Sequence, residues 1–190
     1  MFYRFARRLC WIVGYILYRF EVSGVENIPE EGAYLLCANH IHSFDPAVIA
    51  IFTKRQPRFI AKKELFRTRL GAAFFRAVGA FPVDRGTTDM QAYRHSMNVL
   101  KEGHGLLIFS QGTRMKEFEN AKGGVAVFAL KSGAPVIPVG ITGSYRFRTK
   151  ITLKIGEPIY MDEYQGQRIN SETVDTLMEK ITGKITELLD

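Results

Sequence analysis

Three uninterrupted apolar runs constrain what this chain can fold into. They are Ala33-Tyr34-Leu35-Leu36-Cys37-Ala38, Leu106-Leu107-Ile108-Phe109 and Pro135–Thr142. None alternates between apolar and polar residues. A strand with one wet face alternates; a strand covered on both faces does not. Between and around these runs lie stretches of helical period at Pro46–Thr53, Glu64–Val78, Thr88–Glu102 and Gly123–Ser132. Gly79, Gly103 and Gly133 stand where three of them should stop. Shorter strands are expected near Glu21–Val25, at Pro57–Ala61 and at Ala80–Val83, and Ile151–Ile155 alternates like a half-buried strand. A last helix starts at Ser171 and carries Val174, Leu177, Met178, Ile181, Ile185 and Leu188 along one face. Strands alternating with helices imply an α/β fold: a single layered domain with a mostly parallel sheet flanked by helices. No repeat or Pro/Gly/Ser-rich linker divides the 190 residues.

In such sheets ligands collect at the C-terminal ends of strands. The first run ends in Asn39-His40-Ile41-His42-Ser43-Phe44-Asp45-Pro46. It sets a potential base, His40, and a carboxylate, Asp45, at a strand-to-helix junction, which suits a general base with its orienting partner. Asp45-Pro46 also reads as an N-cap and first residue of a helix. Capping is therefore the plain alternative for Asp45. A His40/His42/Asp45 metal site is conceivable, but no ligand cluster elsewhere supports it, and no metal is expected. Cys10 and Cys37 are too few for a disulfide framework or a clustered metal site. Three further segments are expected at strand ends: Gly79–Arg85, Phe109–Arg114 and Val136–Val139. Arg85 and Arg114 can converge on an anion, and Arg suits bidentate phosphate recognition. Gly112-Thr113 can bring backbone N–H groups to the same anion.

The formal net charge of +7 favours anionic partners. No stacking or groove-reading motif points to nucleic acid. The chain divides into residues 1–20 and a domain over 21–190. The uncharged run Leu9–Tyr18 is far shorter than the roughly 20 apolar residues of a spanning helix. On a helical wheel Arg4, Arg7, Arg8 and Arg19 share a sector with Trp11, Tyr15 and Tyr18. Phe2, Phe5, Leu9, Ile12, Val13, Ile16 and Phe20 lie opposite. This is the pattern of an amphipathic helix in a membrane interface; a helix packed on the domain with its arginines in solvent is the plainer reading.

Order and spacing of these motifs resemble the glycerolipid acyltransferases, specifically the 1-acylglycerol-3-phosphate O-acyltransferases. Asn39-His40-x4-Asp45 matches that family's first motif. Gly79-x-x-Pro82-Val83-Asp84-Arg85 looks like the second, Gln111-Gly112-Thr113-Arg114 the third, and Val136-Ile137-Pro138-Val139 the fourth. The third motif usually reads Phe-Pro-Glu-Gly-Thr-Arg; here Ser110 replaces Pro and Gln111 replaces Glu. The resemblance implies an enzyme of phospholipid biosynthesis at the cytoplasmic face of a membrane. It would move an acyl group from acyl-CoA or acyl-carrier protein to a lysophospholipid, giving phosphatidic acid without a cofactor. It makes His40 the general base and Asp45 its partner. Arg85, Gln111, Gly112, Thr113 and Arg114, with Lys62 and Lys122, would bind the acceptor. Gln111 keeps an acceptor oxygen but loses the charge, so a different lysophospholipid or a lyso-aminolipid is an alternative acceptor. A non-catalytic lipid-binding protein is the remaining alternative.

Overall fold

The computed structural model describes residues 2–83, 90–110, 123–164 and 166–190. Seven strands form one sheet in the order β1-β7-β6-β2-β5-β3-β4. They are β1 (Arg19–Ser23), β2 (Tyr34–Ala38), β3 (Arg58–Lys62), β4 (Ala80–Val83), β5 (Gly105–Phe109), β6 (Val136–Gly143) and β7 (Lys150–Ile155). Every neighbouring pair is parallel except β6 and β7. The helices are α1 (Phe2–Leu17), α2 (Asp45–Phe52), α3 (Arg69–Ala77), α4 (Met90–Lys101), α5 (Gly124–Ser132) and α6 (Ser171–Leu189).

The apolar runs are the centre of this sheet. β2 is buried at every residue and lies between β5 and β6, with Leu36 level with Leu107 on one side and Ile137 on the other. Leu35 and Cys37 face a core shared with Val99 and Leu100 of α4, Val125 and Phe128 of α5, and Leu177 and Ile181 of α6. Tyr34, Leu36 and Ala38 face a second core with Val48 and Ile49 of α2. Burial on both faces explains the missing alternation. Cys37 is a core residue, and burial pushes its thiol up to about 12.

Several boundaries differ from expectation. The first helix ends at Leu17, and Arg19 and Phe20 belong to β1, paired with Lys150 and Ile151 of β7. Pairing at the sheet edge takes these residues away from the helix. β1 stops at Ser23 because Gly24 turns the chain with φ 76. The stretch Glu64–Val78 is not one helix: a short 3₁₀ turn, Lys63–Phe66, precedes α3. Thr68 caps α3 by accepting a hydrogen bond from the Gly71 N–H at 3.0 Å. α2 begins at Asp45 with Phe44 as its cap, one residue earlier than expected. Val136–Val139 forms the first half of β6, inside the sheet beside Leu35–Ala38, and not a strand end.

α1 packs along α2 with a flank that carries Tyr3 and Arg7 and lies away from its apolar stripe. Tyr3 donates to the Ala50 carbonyl at 3.3 Å, and Arg7 Nε to the Ile51 carbonyl at 3.1 Å. Arg7 therefore faces the domain rather than solvent. Gly14 is buried between them and β1, where an added Cβ would stand 3.0 Å from the Phe20 ring. Phe5, Leu9, Ile12, Val13 and Ile16 are left exposed.

Candidate active site

The C-terminal edge of the central strands carries the candidate residues. Asn39, just past β2, is buried and clamps the strand to β6: its amide donates to the Ile141 carbonyl at 2.8 Å and accepts the Ile141 N–H at 2.7 Å. This clamp fixes where the chain leaves the sheet. His40 follows, its ring 4.3 Å from the Phe109 ring at the end of β5.

Asp45 is fully buried and returns to the same point from the start of α2. Its Oδ2 accepts His40 Nδ1 at 2.7 Å, the Ile41 N–H at 2.7 Å and the His42 N–H at 2.8 Å. Its Oδ1 accepts the Tyr145 hydroxyl at 2.5 Å. Asp45 therefore organises the loop before the helix and is not the helix cap. An oxygen already taking two backbone N–H groups is an acceptor, so His40 carries its proton on Nδ1. Nε2 is then left with a lone pair, on a side chain that is 38% exposed. A half-open imidazole aligned by a buried carboxylate is built to accept a proton.

The His42 imidazole, unlike its backbone N–H, does not bond Asp45. Its Nδ1 accepts the Phe44 N–H at 3.3 Å and its ring stacks on Tyr145 at 4.4 Å. Among the described residues no cluster of three His, Cys, Asp or Glu side chains could hold a metal ion.

A profile of the acyltransferase family matches residues 19–142, which include β1–β5, most of β6 and the His40–Asp45 pair. The chain belongs to the acyltransferase family. A 1-acyl-sn-glycerol-3-phosphate acyltransferase of Streptococcus pneumoniae is 30% identical over 202 residues, spanning 99% of this chain and 73% of that protein. One of Bacillus subtilis is 28% identical over 88% of this chain and 87% of its own length. The crystal structure of PlsC from Thermotoga maritima, a 1-acyl-sn-glycerophosphate acyltransferase, superposes with a TM-score of 0.69 at 26% identity, covering 98% of this chain and 77% of that one.

Within this acyltransferase the other predicted residues divide by position. Lys62 is the last residue of β3, on the same sheet edge as His40; it is exposed, with Nζ 3.5 Å from Glu64. Arg85, Gln111, Gly112, Thr113, Arg114 and Lys122 lie outside the described residues. Their neighbours Val83 and Ser110 leave β4 and β5 at that edge. Ser110 shows why the departure from proline matters: its N–H donates to the Ala38 carbonyl at 2.8 Å, a rung that proline cannot make.

Tyr145 is the residue that sequence reasoning missed. It stands 100 positions from Asp45 and outside every motif, so no spacing betrays it. The one signal available was its place just beyond β6, two residues past the strand's end.

Proposed function

We propose that the enzyme transfers an acyl group from an acyl thioester to the free hydroxyl of 1-acylglycerol-3-phosphate, forming phosphatidic acid. One observation carries the reading: His40 is held by buried Asp45 at the C-terminal edge of β2, with Nε2 open to a substrate. The acceptor hydroxyl gives its proton to Nε2 while its oxygen attacks the thioester carbonyl. Asp45 stabilises the imidazolium at 2.7 Å. The tetrahedral intermediate then collapses, the C–S bond breaks, and the leaving thiolate takes the proton back from His40. The products are an ester and a free thiol, and no group on the protein is acylated. Alignment of two bound substrates supplies much of the acceleration.

The acceptor phosphate is assigned to Arg85 and Arg114 with the Gly112-Thr113 backbone, assisted by Gln111, Lys122 and Lys62. The position of Lys62 on the His40 edge supports its part. The donor is acyl-CoA or acyl-carrier protein, with no cofactor. The enzyme works on the cytoplasmic face of a membrane, where α1, within the expected segment of residues 1–20, is the interfacial element ahead of the catalytic domain expected over residues 21–190, whose sheet also takes in Arg19 and Phe20. The exposed row Phe5, Leu9, Ile12, Val13 and Ile16 supports this, because α1 docks through a different flank. No helix among the described residues is long and apolar enough to cross a membrane.

The test is to incubate purified protein with 1-acylglycerol-3-phosphate and each donor, and to identify lipid products by mass spectrometry. Phosphatidic acid is expected; vesicle binding without turnover of either donor would make it a lipid-binding protein instead. Ser110 and Gln111 motivate a second acceptor, so a panel of lysophospholipids and lyso-aminolipids belongs in the same assay. If the panel profiles of wild type and Gln111→Glu coincide, that motive disappears.

A further inference from the structure

We propose that Tyr145 is a positioning residue for acyl transfer, its hydroxyl fixing the Asp45 carboxylate on the oxygen that His40 does not use. The proposal rests on the acyl-transfer reading above.

A buried carboxylate needs a partner on each oxygen. Oδ2 of Asp45 has three N–H donors, from His40, Ile41 and His42. Among the described residues, Tyr145 supplies the side-chain donor on Oδ1, at 2.5 Å. That separation belongs to the charge-assisted O–H···O⁻ class. With both oxygens held, the carboxylate cannot rotate about its Cβ–Cγ bond, and the line from Oδ2 to the His40 ring is fixed.

Tyr145 is itself well braced. Its ring stacks on His42 and meets Tyr18 edge-on at 5.5 Å. Its loop is tied to the end of α1: the Arg148 N–H donates to the Leu17 carbonyl at 2.6 Å, and the Arg19 N–H to the Thr149 carbonyl at 3.0 Å. Tyr18 is the residue that follows α1. The terminal helix thus braces the carboxylate through Tyr145. Burial, and next the bond to Asp45, push the phenol far above its ordinary range, so it stays a donor at any working pH. Tyr145 acts through Asp45, which separates it from the groups that meet substrate.

The test is Tyr145→Phe, which keeps the stacked ring and removes the hydroxyl. Among the described residues, the Tyr145 ring meets His42, Tyr18 and Phe44, and the His40 ring meets Phe109; all four are left in place. The expected result is a kcat lower by roughly 10-fold, the worth of one hydrogen bond to a charged group, with KM unchanged. With its donor gone, Asp45 shows more negative charge to the imidazolium, so the acid limb of the pH profile of kcat/KM moves to higher pH. In an Asp45→Asn background, Tyr145→Phe should cost much less than in wild type. An unchanged kcat and pH profile would overturn the proposal, and so would an equal loss in both backgrounds. A Tyr145→Phe protein that does not fold would also overturn it, because the hydroxyl would then serve folding rather than positioning. If wild type makes no ester from any acceptor, the reading of function fails and not this inference alone.

Discussion

Asp45→Asn separates the charge of the carboxylate from its shape. The amide can keep its oxygen toward His40 Nδ1 and the Ile41 and His42 N–H groups, and turn its NH₂ toward Tyr145. The phenol then accepts where it had donated. Every hydrogen bond keeps a counterpart, so the loop and the fold should survive. What disappears is a negative charge 2.7 Å from the ring that becomes an imidazolium. A hydrogen bond to a charged group contributes about 1.5–3 kcal/mol and a neutral one about 0.5–1.5. Coulomb attraction at about 4 Å and an effective dielectric of about 20 amounts to about 4 kcal/mol. The loss of transition-state stabilisation is then about 2–4 kcal/mol, or roughly 30- to 1,000-fold in kcat. Thiol release from the acyl donor at saturating acceptor measures it, with thermal unfolding run alongside. A kcat within about 3-fold of wild type at unchanged melting temperature would refute the reasoning; the carboxylate would then serve only to fold the loop.

Three other changes follow from the same geometry. Asn39→Ala removes both bonds from buried Asn39 to the Ile141 backbone, and urea denaturation should show a loss of about 2–4 kcal/mol; a change under about 0.5 kcal/mol would show that the clamp is not needed. Ser110→Pro deletes the rung from Ser110 N–H to the Ala38 carbonyl and should lower stability by about 1–2 kcal/mol in the same assay, whereas equal or greater stability would mean that the chain re-pairs there. Leu9→Asp with Ile12→Asp alters side chains exposed at 50% and 47%, so melting should hardly move. Sedimentation with phosphatidylglycerol vesicles should nevertheless weaken by roughly 30-fold or more, and unchanged binding would remove α1 from the membrane contact.

The central sheet was legible because β2, β5 and β6 are covered on both faces, and that leaves a one-dimensional mark: a run with no polar alternation. The pair at the end of β2 was legible because His40 and Asp45 lie within one loop. Boundaries were less so. Arg19 and Phe20 continue the helical wheel, and only pairing with Lys150 and Ile151, far along the chain, makes them a strand. Lys63–Phe66 and α3 share one apolar period, and the break shows only in the Thr68 cap. Asp45 reads locally as a helix cap, since the competing donors at Ile41 and His42 depend on how the loop closes. Tyr145 was hidden for the same reason that Asn39 reads as a mere motif letter: each acts across about 100 residues, through strands that are adjacent only after folding.

His40→Ala tests the central claim most directly. The ring is half-exposed and, among the described residues, its side-chain hydrogen bond is to Asp45, so vesicle binding and the melting transition should persist. Phosphatidic acid formation from 1-acylglycerol-3-phosphate and an acyl thioester should fall by roughly 10²- to 10⁴-fold, the share of a general base. A variant that folds, binds vesicles and still makes phosphatidic acid at the wild-type rate would contradict His40 as the base.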